Sequence, residues 1–125
     1  MIQDYFENEF ARFWICNQIL FFEYKESVVI DLAAAQCILI DRVQVQKELA
    51  YPVFCDARGI LDIDKDARDY LAQSGSILTK AVSLLVYQSV SFAMSSFYLK
   101  SSKPRVPTRM FTDKAAALAF LSNYI

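Results

Sequence analysis

Histidine is absent from all 125 residues of the chain. That removes the usual general base, the usual partner of a nucleophilic serine or cysteine, and the commonest protein metal ligand. Glycine and proline are scarce, at two and three residues, so long disordered linkers are not expected. No glycine-rich phosphate loop is present. The three cysteines, Cys16, Cys37 and Cys55, lie far apart and form no CxxC pair. Each sits in an apolar stretch, which points to buried thiols in a reducing compartment rather than to zinc or catalysis. No apolar run is long enough to span a bilayer. The opening MIQDYFENEF is acidic and alternating, without the basic and apolar regions of a targeting peptide. A formal net charge of −1 and a pI near 5.3 give no general attraction for nucleic acid or membrane. A cytoplasmic protein is expected.

What is abundant is apolar surface. Hydrophobic residues make up 55% and aromatics 14% of the chain, enough for one domain of this length to bury a substantial core. Tyr5 to Cys16 alternates with period two, which predicts a strand with Phe6, Phe10 and Trp14 on one side. Asn17-Gln18 suits a turn, and Ile19 to Tyr24 a nearly continuous apolar strand that is central or covered on both faces. After a turn at Lys25-Glu26-Ser27, Val28-Val29-Ile30 completes an expected antiparallel meander. Asp31 is a good N-cap for a helix reaching about Gln46. Its apolar stripe is Leu32, Ala35, Leu39 and Val43, widened by Ala34, Ile38 and Val45, with Asp41, Arg42, Lys47 and Glu48 on the wet side.

The stretch YPVFCDARGILDIDKDAR, Tyr51 to Arg68, combines a buried strand, Val53-Phe54-Cys55, with a charged turn. Gly59 allows a turn that a Cβ would hinder. Asp62 and Asp64 are candidate caps for a helix holding Ala67, Tyr70 and Leu71, and Asp66 favours its first turn. Gly75 is placed as its left-handed terminator. Ala81 to Tyr87 is a second buried strand. Val90, Ala93, Met94, Phe97 and Tyr98 fit one face of a helix, while Phe92 and Leu99 fall on another side that suits a groove or subunit contact. Pro107 delays a short strand at Arg109 to Phe111. Thr112 or Asp113 then caps a last helix with Ala117, Leu118, Leu121 and Tyr124 or Ile125 inward. The fold class is α/β of mixed α+β character. It comprises an antiparallel meander followed by alternating β-α units, with about six strands and four helices.

PVFCDARG, IDKDARDYLA, AVSLLV and PTRMFTDKAAALAFL together resemble small bacterial proteins of the SpoIIAA-like or STAS-like group, uncharacterised members above all. The resemblance covers nearly the whole chain and implies a SpoIIAA-like mixed sheet. Better-known members of that group are anti-sigma factor antagonists, which bind a partner kinase and are switched by phosphorylation of a serine following an aspartate. The corresponding turn here is Ile63-Asp64-Lys65-Asp66-Ala67, without that serine, so a phospho-switch is not implied at this turn. The group is also similar to Sec14-type carriers of apolar ligands.

Three functions are thus set against one another. The first is a non-enzymatic regulatory or protein-interaction domain, expected to be a homodimer, with its partner surface at Asp56, Arg58, Asp62, Asp64, Lys65, Asp66 and Arg68. The second is a binder of an apolar small molecule, with Trp14, Phe22, Phe92 and Leu99 as candidate interface or pocket residues. Phe10, Phe13 and Phe21 belong to the same aromatic surplus. The third and weakest is a metal-dependent enzyme using Asp56, Asp62 and Asp64. Structural duties account for most of those carboxylates, so no catalytic residue, metal or cofactor is assigned. Lys100, Lys103, Arg105 and Arg109 read as a solvated basic segment, and Ser74, Ser76, Ser95 and Ser96 as isolated serines.

Overall fold

The computed structural model describes residues 2–88 and 102–125. Three antiparallel strands open it: β1, Gln3–Glu7; β2, Ala11–Cys16; and β3, Ile19–Tyr24. The predicted first strand is thus two, broken at residues 8–10, where the Asn8 side chain accepts from the amides of Phe10 and Ala11. The break reverses the chain and moves Trp14 away from Phe6. Phe6 instead stacks on Phe13, which is fully buried, while Trp14 stacks on Tyr5 and Phe21 across the opposite face. Asn17 and Gln18 both have positive φ, the geometry that matches a two-residue hairpin turn to strand twist.

The chain then makes two parallel crossovers. The first runs through β4, Val28–Ile30, and α1, Leu32–Gln46, into β5, Tyr51–Asp56. The second runs through β6, Ile60–Ile63, and α2, Lys65–Gln73, with a 3-10 turn at Ser74–Ser76, into β7, Thr79–Leu85. β8, Thr108–Phe111, adds a further parallel strand, and α3, Lys114–Leu121, follows it. The main sheet has the order β1-β2-β3-β5-β7-β8. β4 does not extend the meander; it pairs in parallel with β6 in a separate two-stranded sheet. Each crossover therefore begins with a short strand, and the two strands brace each other. The architecture is the expected mixed α/β sheet. The expected helix over Val90 to Tyr98 lies outside the described residues.

Side chains alternate across the main sheet and build two cores. Phe13, Ile15, Leu20, Phe22, Val53 and Cys55 face α1 and α2. Ile19, Phe54, Ala81 and Leu85 face α3, where Ala117 and Leu121 are fully buried. Burying a large side chain contributes about 1.5–3 kcal/mol, so this two-sided packing dominates the stability. Three aspartates start the three helices α1, α2 and α3. Asp31 accepts from the Ala34 amide at 2.8 Å, Asp64 from Ala67 at 2.8 Å and Asp113 from Ala116 at 2.9 Å.

Neither glycine has positive φ. Gly59 is required by close approach: a Cβ there would lie 2.3 Å from the Lys25 carbonyl oxygen and 2.7 Å from that of Tyr24. Gly75 is not a left-handed cap, because α2 runs directly into the 3-10 turn, and Leu78 takes the positive φ instead. Leu32 is more exposed than its place in the predicted stripe implies, and Ile125 is exposed. Cys55 is buried as expected, but Cys37 lies on the solvent side of α1. Gly59→Ala should lower stability by about 1–3 kcal/mol in urea unfolding, since backbone must move. Gly75→Ala meets only the Leu71 side chain at 3.5 Å and should be neutral or slightly stabilising.

Candidate functional site

Between the helical layer and the main sheet lies a cavity of about 700 Å³. Val53 and Cys55 of β5, Val82 and Leu84 of β7, and Met110 of β8 form its floor, because alternate residues of parallel strands share one face. Ile38 and Leu39 of α1 and Leu71 of α2 lie above, and Phe22 closes one side. The walls are mainly apolar. Among the described residues the charged lining side chains are Arg42, Arg58, Arg68 and Asp62. The volume falls within the ~300–1,000 Å³ usual for small-molecule sites.

The two ends differ. Where β7 starts, Arg42 reaches in from α1 and is only 5% exposed. Its Nη1 donates to Gln46 Oε1, and its Nη2 to the carbonyls of Gly75 at 2.9 Å and Ile77 at 3.1 Å. Gln46 Nε2 in turn donates to the carbonyls of Leu49 at 3.0 Å and Leu78 at 2.8 Å. All of Arg42's acceptors are neutral oxygens. Burial pulls its guanidinium down to about 10, still charged at neutral pH. Arg42 departs from the amphipathic expectation, which set it on the wet side, and Gln46 is buried beside it. The signal was spacing: Ala35, Leu39, Arg42 and Gln46 follow one another at helical intervals on the buried stripe.

Where β5 and β7 finish, the charged turn forms the other end. The structure gives its residues separate partners. Arg58 clasps Asp56 through two hydrogen bonds, Nε–Oδ1 at 2.9 Å and Nη2–Oδ2 at 2.8 Å, and lies over the Tyr87 ring. Hydrogen bonding to Asp56 holds the Arg58 guanidinium above its ordinary value. Asp64 caps α2, and Lys65 pairs with Asp69 at 2.6 Å along that helix. The Asp69 carboxyl is lowered by hydrogen bonds from Lys65 and then Ser102. Arg68 Nη1 donates to the Ile63 carbonyl at 2.9 Å. Asp62 is exposed on β6, and Asp66 stands in the first turn of α2. No group of three or more cysteine or acidic side chains disposed to hold a metal occurs among the described residues.

Phe22 lines the cavity, but Trp14 faces away from it. Trp14 belongs to a stacked row with Tyr5 and Phe21, which α3 leaves partly uncovered. Phe92 and Leu99 lie outside the described residues, as do Lys100, Ser95 and Ser96. The other basic residues do not form one patch. Arg105 Nε donates to Gln73 Oε1 on α2, whereas Arg109 lies over Phe111 and Phe120 on the α3 face. Ser76 Oγ donates to the Gln73 carbonyl within the 3-10 turn.

Residues 13–125 match a family known only as a domain of unknown function, DUF7793. The chain belongs to the DUF7793 family. No curated protein matches it. A solved structure from Shewanella loihica, described as an uncharacterised protein of the DUF3478 family with a SpoIIAA-like fold, superimposes with a TM-score of 0.58. The match covers 97% of this chain and 92% of that one at 12% identity. At that identity the likeness establishes the fold, which is SpoIIAA-like, and nothing of the activity. No helix among the described residues of this DUF7793 domain is long and apolar enough to cross a membrane.

The local partners of the charged turn predict stability effects. Asp64→Ala should cost about 0.5–2 kcal/mol through loss of the cap. Asp62→Ala should stay within about 0.5 kcal/mol. Millimolar magnesium or manganese should leave the melting temperature unchanged; a rise abolished by either substitution would revive a metal site.

Proposed function

We propose that this domain is a non-enzymatic binding module that holds an apolar small molecule between α1, α2 and the main sheet. The cavity carries this reading: its floor and roof come from rigid elements, and its walls are aliphatic. A half-open cleft of this size, lined mainly by apolar side chains among the described residues, suits a small apolar molecule. The polar groups at the turn support the same view. Asp56, Asp64, Lys65 and Arg68 are engaged in a cap, in ion pairs and in a hydrogen bond to backbone. The resemblance to Sec14-type carriers agrees with an apolar ligand. A cytoplasmic, bacterial setting is part of the proposal and rests on the resemblance.

Native mass spectrometry of gently purified protein should show an added small-molecule mass that solvent extraction removes. Val82→Phe, which fills the cavity floor, should weaken binding of an apolar fluorescent probe at least tenfold while the fold is retained. A wild-type protein that carries nothing and binds no such probe would overturn the reading.

The stacked row Tyr5, Trp14 and Phe21 favours a second reading, that of a protein-interaction domain and homodimer. Tyr5 is 54% exposed, and half-buried aromatics in a row are the usual anchors of an interface. This surface replaces the charged turn as the better partner face, because the turn's charges are mostly satisfied within the chain. Sedimentation should detect a dimer at high concentration that Trp14→Ser weakens. A strictly monomeric wild-type protein would remove the dimer.

A further inference from the structure

We infer that the ligand is an amphipathic anion, a long-chain carboxylate, whose head group sits at Arg42 and whose tail runs along the β5–β7 floor. The inference rests on the apolar-ligand reading and adds the head-group chemistry. Arg42 lines the cavity at the end where β7 starts. Its hydrogen-bond acceptors are one side-chain amide and two backbone carbonyls, none of them charged. None of the ion pairs among the described residues includes it. Residues 89–101 contain no aspartate or glutamate at all. A buried cation without a counter-ion is costly, and an anion arriving beside it recovers part of that cost.

Charge balance around the cavity points the same way. Among the described residues, three arginines and one aspartate line it, and the aspartate, Asp62, is exposed. Arg58 is neutralised by Asp56 and Arg68 is held to a backbone carbonyl at the far end. Arg42, only 5% exposed and bonded to neutral oxygens, is therefore the positive charge at the end where β7 starts. From it, Val82 and Leu84 on β7 and Val53 and Cys55 on β5 present a continuous apolar track. β7 spans seven residues, roughly 20 Å at ~3.3 Å per residue, a length suited to an extended alkyl chain. A neutral apolar molecule would fill the track but leave the guanidinium uncompensated. A guanidinium and a carboxylate form one of the stronger charge-assisted hydrogen bonds.

The test measures affinity of the full chain for hexadecanoate and for hexadecanol, by calorimetry or by displacement of an apolar probe. The wild-type protein should bind the carboxylate at least tenfold more tightly than the alcohol. Arg42→Lys, which retains the charge, should keep most of this preference, and Arg42→Met should lose it while still binding the alcohol. If Arg42→Met does not fold, Arg42→Lys and Arg58→Met carry the comparison. A preference lost in Arg58→Met but intact in Arg42→Lys puts the charge at the other end and overturns the inference. Equal affinity of the wild-type protein for acid and alcohol overturns it too, while leaving the apolar cavity as a binding site. Binding of neither compound removes both.

Discussion

The buried pair Arg42 and Gln46 is the joint on which the helical layer hangs. Two consecutive turns of α1 supply donors to backbone carbonyls of Gly75, Ile77, Leu49 and Leu78. The Tyr51 amide also donates to Leu78, so the starts of β5 and β7 are held together at the same point. Buried carbonyls left without donors cost about 1–3 kcal/mol each, so these polar side chains stabilise what apolar ones would leave unsatisfied. They also set where α1 lies over the sheet. The helix is pinned at its C-terminal end by polar bonds and at its N-terminal end by β4, which passes directly into the Asp31 cap.

The cavity follows from that arrangement. α1 packs chiefly through alanines, Ile38 and Leu39, and α2 buries mainly two alanines, Ala67 and Ala72. Small residues bring the helices close at their anchored parts, and among the described residues α1 and α2 do not fill the space over β7 and β8. The floor there is made of Val82, Leu84 and Met110, which remain only partly buried. On the other face the sheet is treated differently. α3 lays Ala117 and Leu121 directly on Ile19, Phe54, Ala81 and Leu85 and closes a compact second core. Among the described residues, one face of the sheet is tightly packed and the other borders the cavity, and that second face also carries the buried cation.

Much of this was legible from local patterns. The capping aspartates, the hairpin turn at Asn17-Gln18 and the apolar strands at Val53 and Ala81 depend on neighbours within a few residues. Such signals survive in a linear chain because the interactions that cause them are themselves local. Local pattern is silent where distant segments meet. Val28–Ile30 has strand propensity, but nothing nearby says that its partner is Ile60–Ile63 rather than β3. Gly59 is visibly a place where a Cβ would hinder the chain, but that the obstacle is the distant backbone of Tyr24 and Lys25 cannot be read locally. Trp14 and Phe6 share a two-residue period in the chain, yet the reversal at residues 8–10 puts them on opposite faces.

By itself, then, the sequence determined the class of fold, the positions of the helix starts and the identity of most core strands. Periodicity and capping are properties of consecutive residues, and hydrophobic burial enforces them whatever the final topology. The charged stretch Tyr51–Arg68 stood out for its concentration of aspartates, and sequence also pointed to the capping duty that dissolves most of that cluster. Only the tertiary structure decided that Asp56 pairs with Arg58, that Arg42 is buried, and that a cavity runs between them. Those outcomes depend on which oxygens and which voids α1, α2 and β7 bring together. Contacts made across thirty or more residues, such as Arg42 to Gly75 and Ile77, leave no periodic trace in the chain.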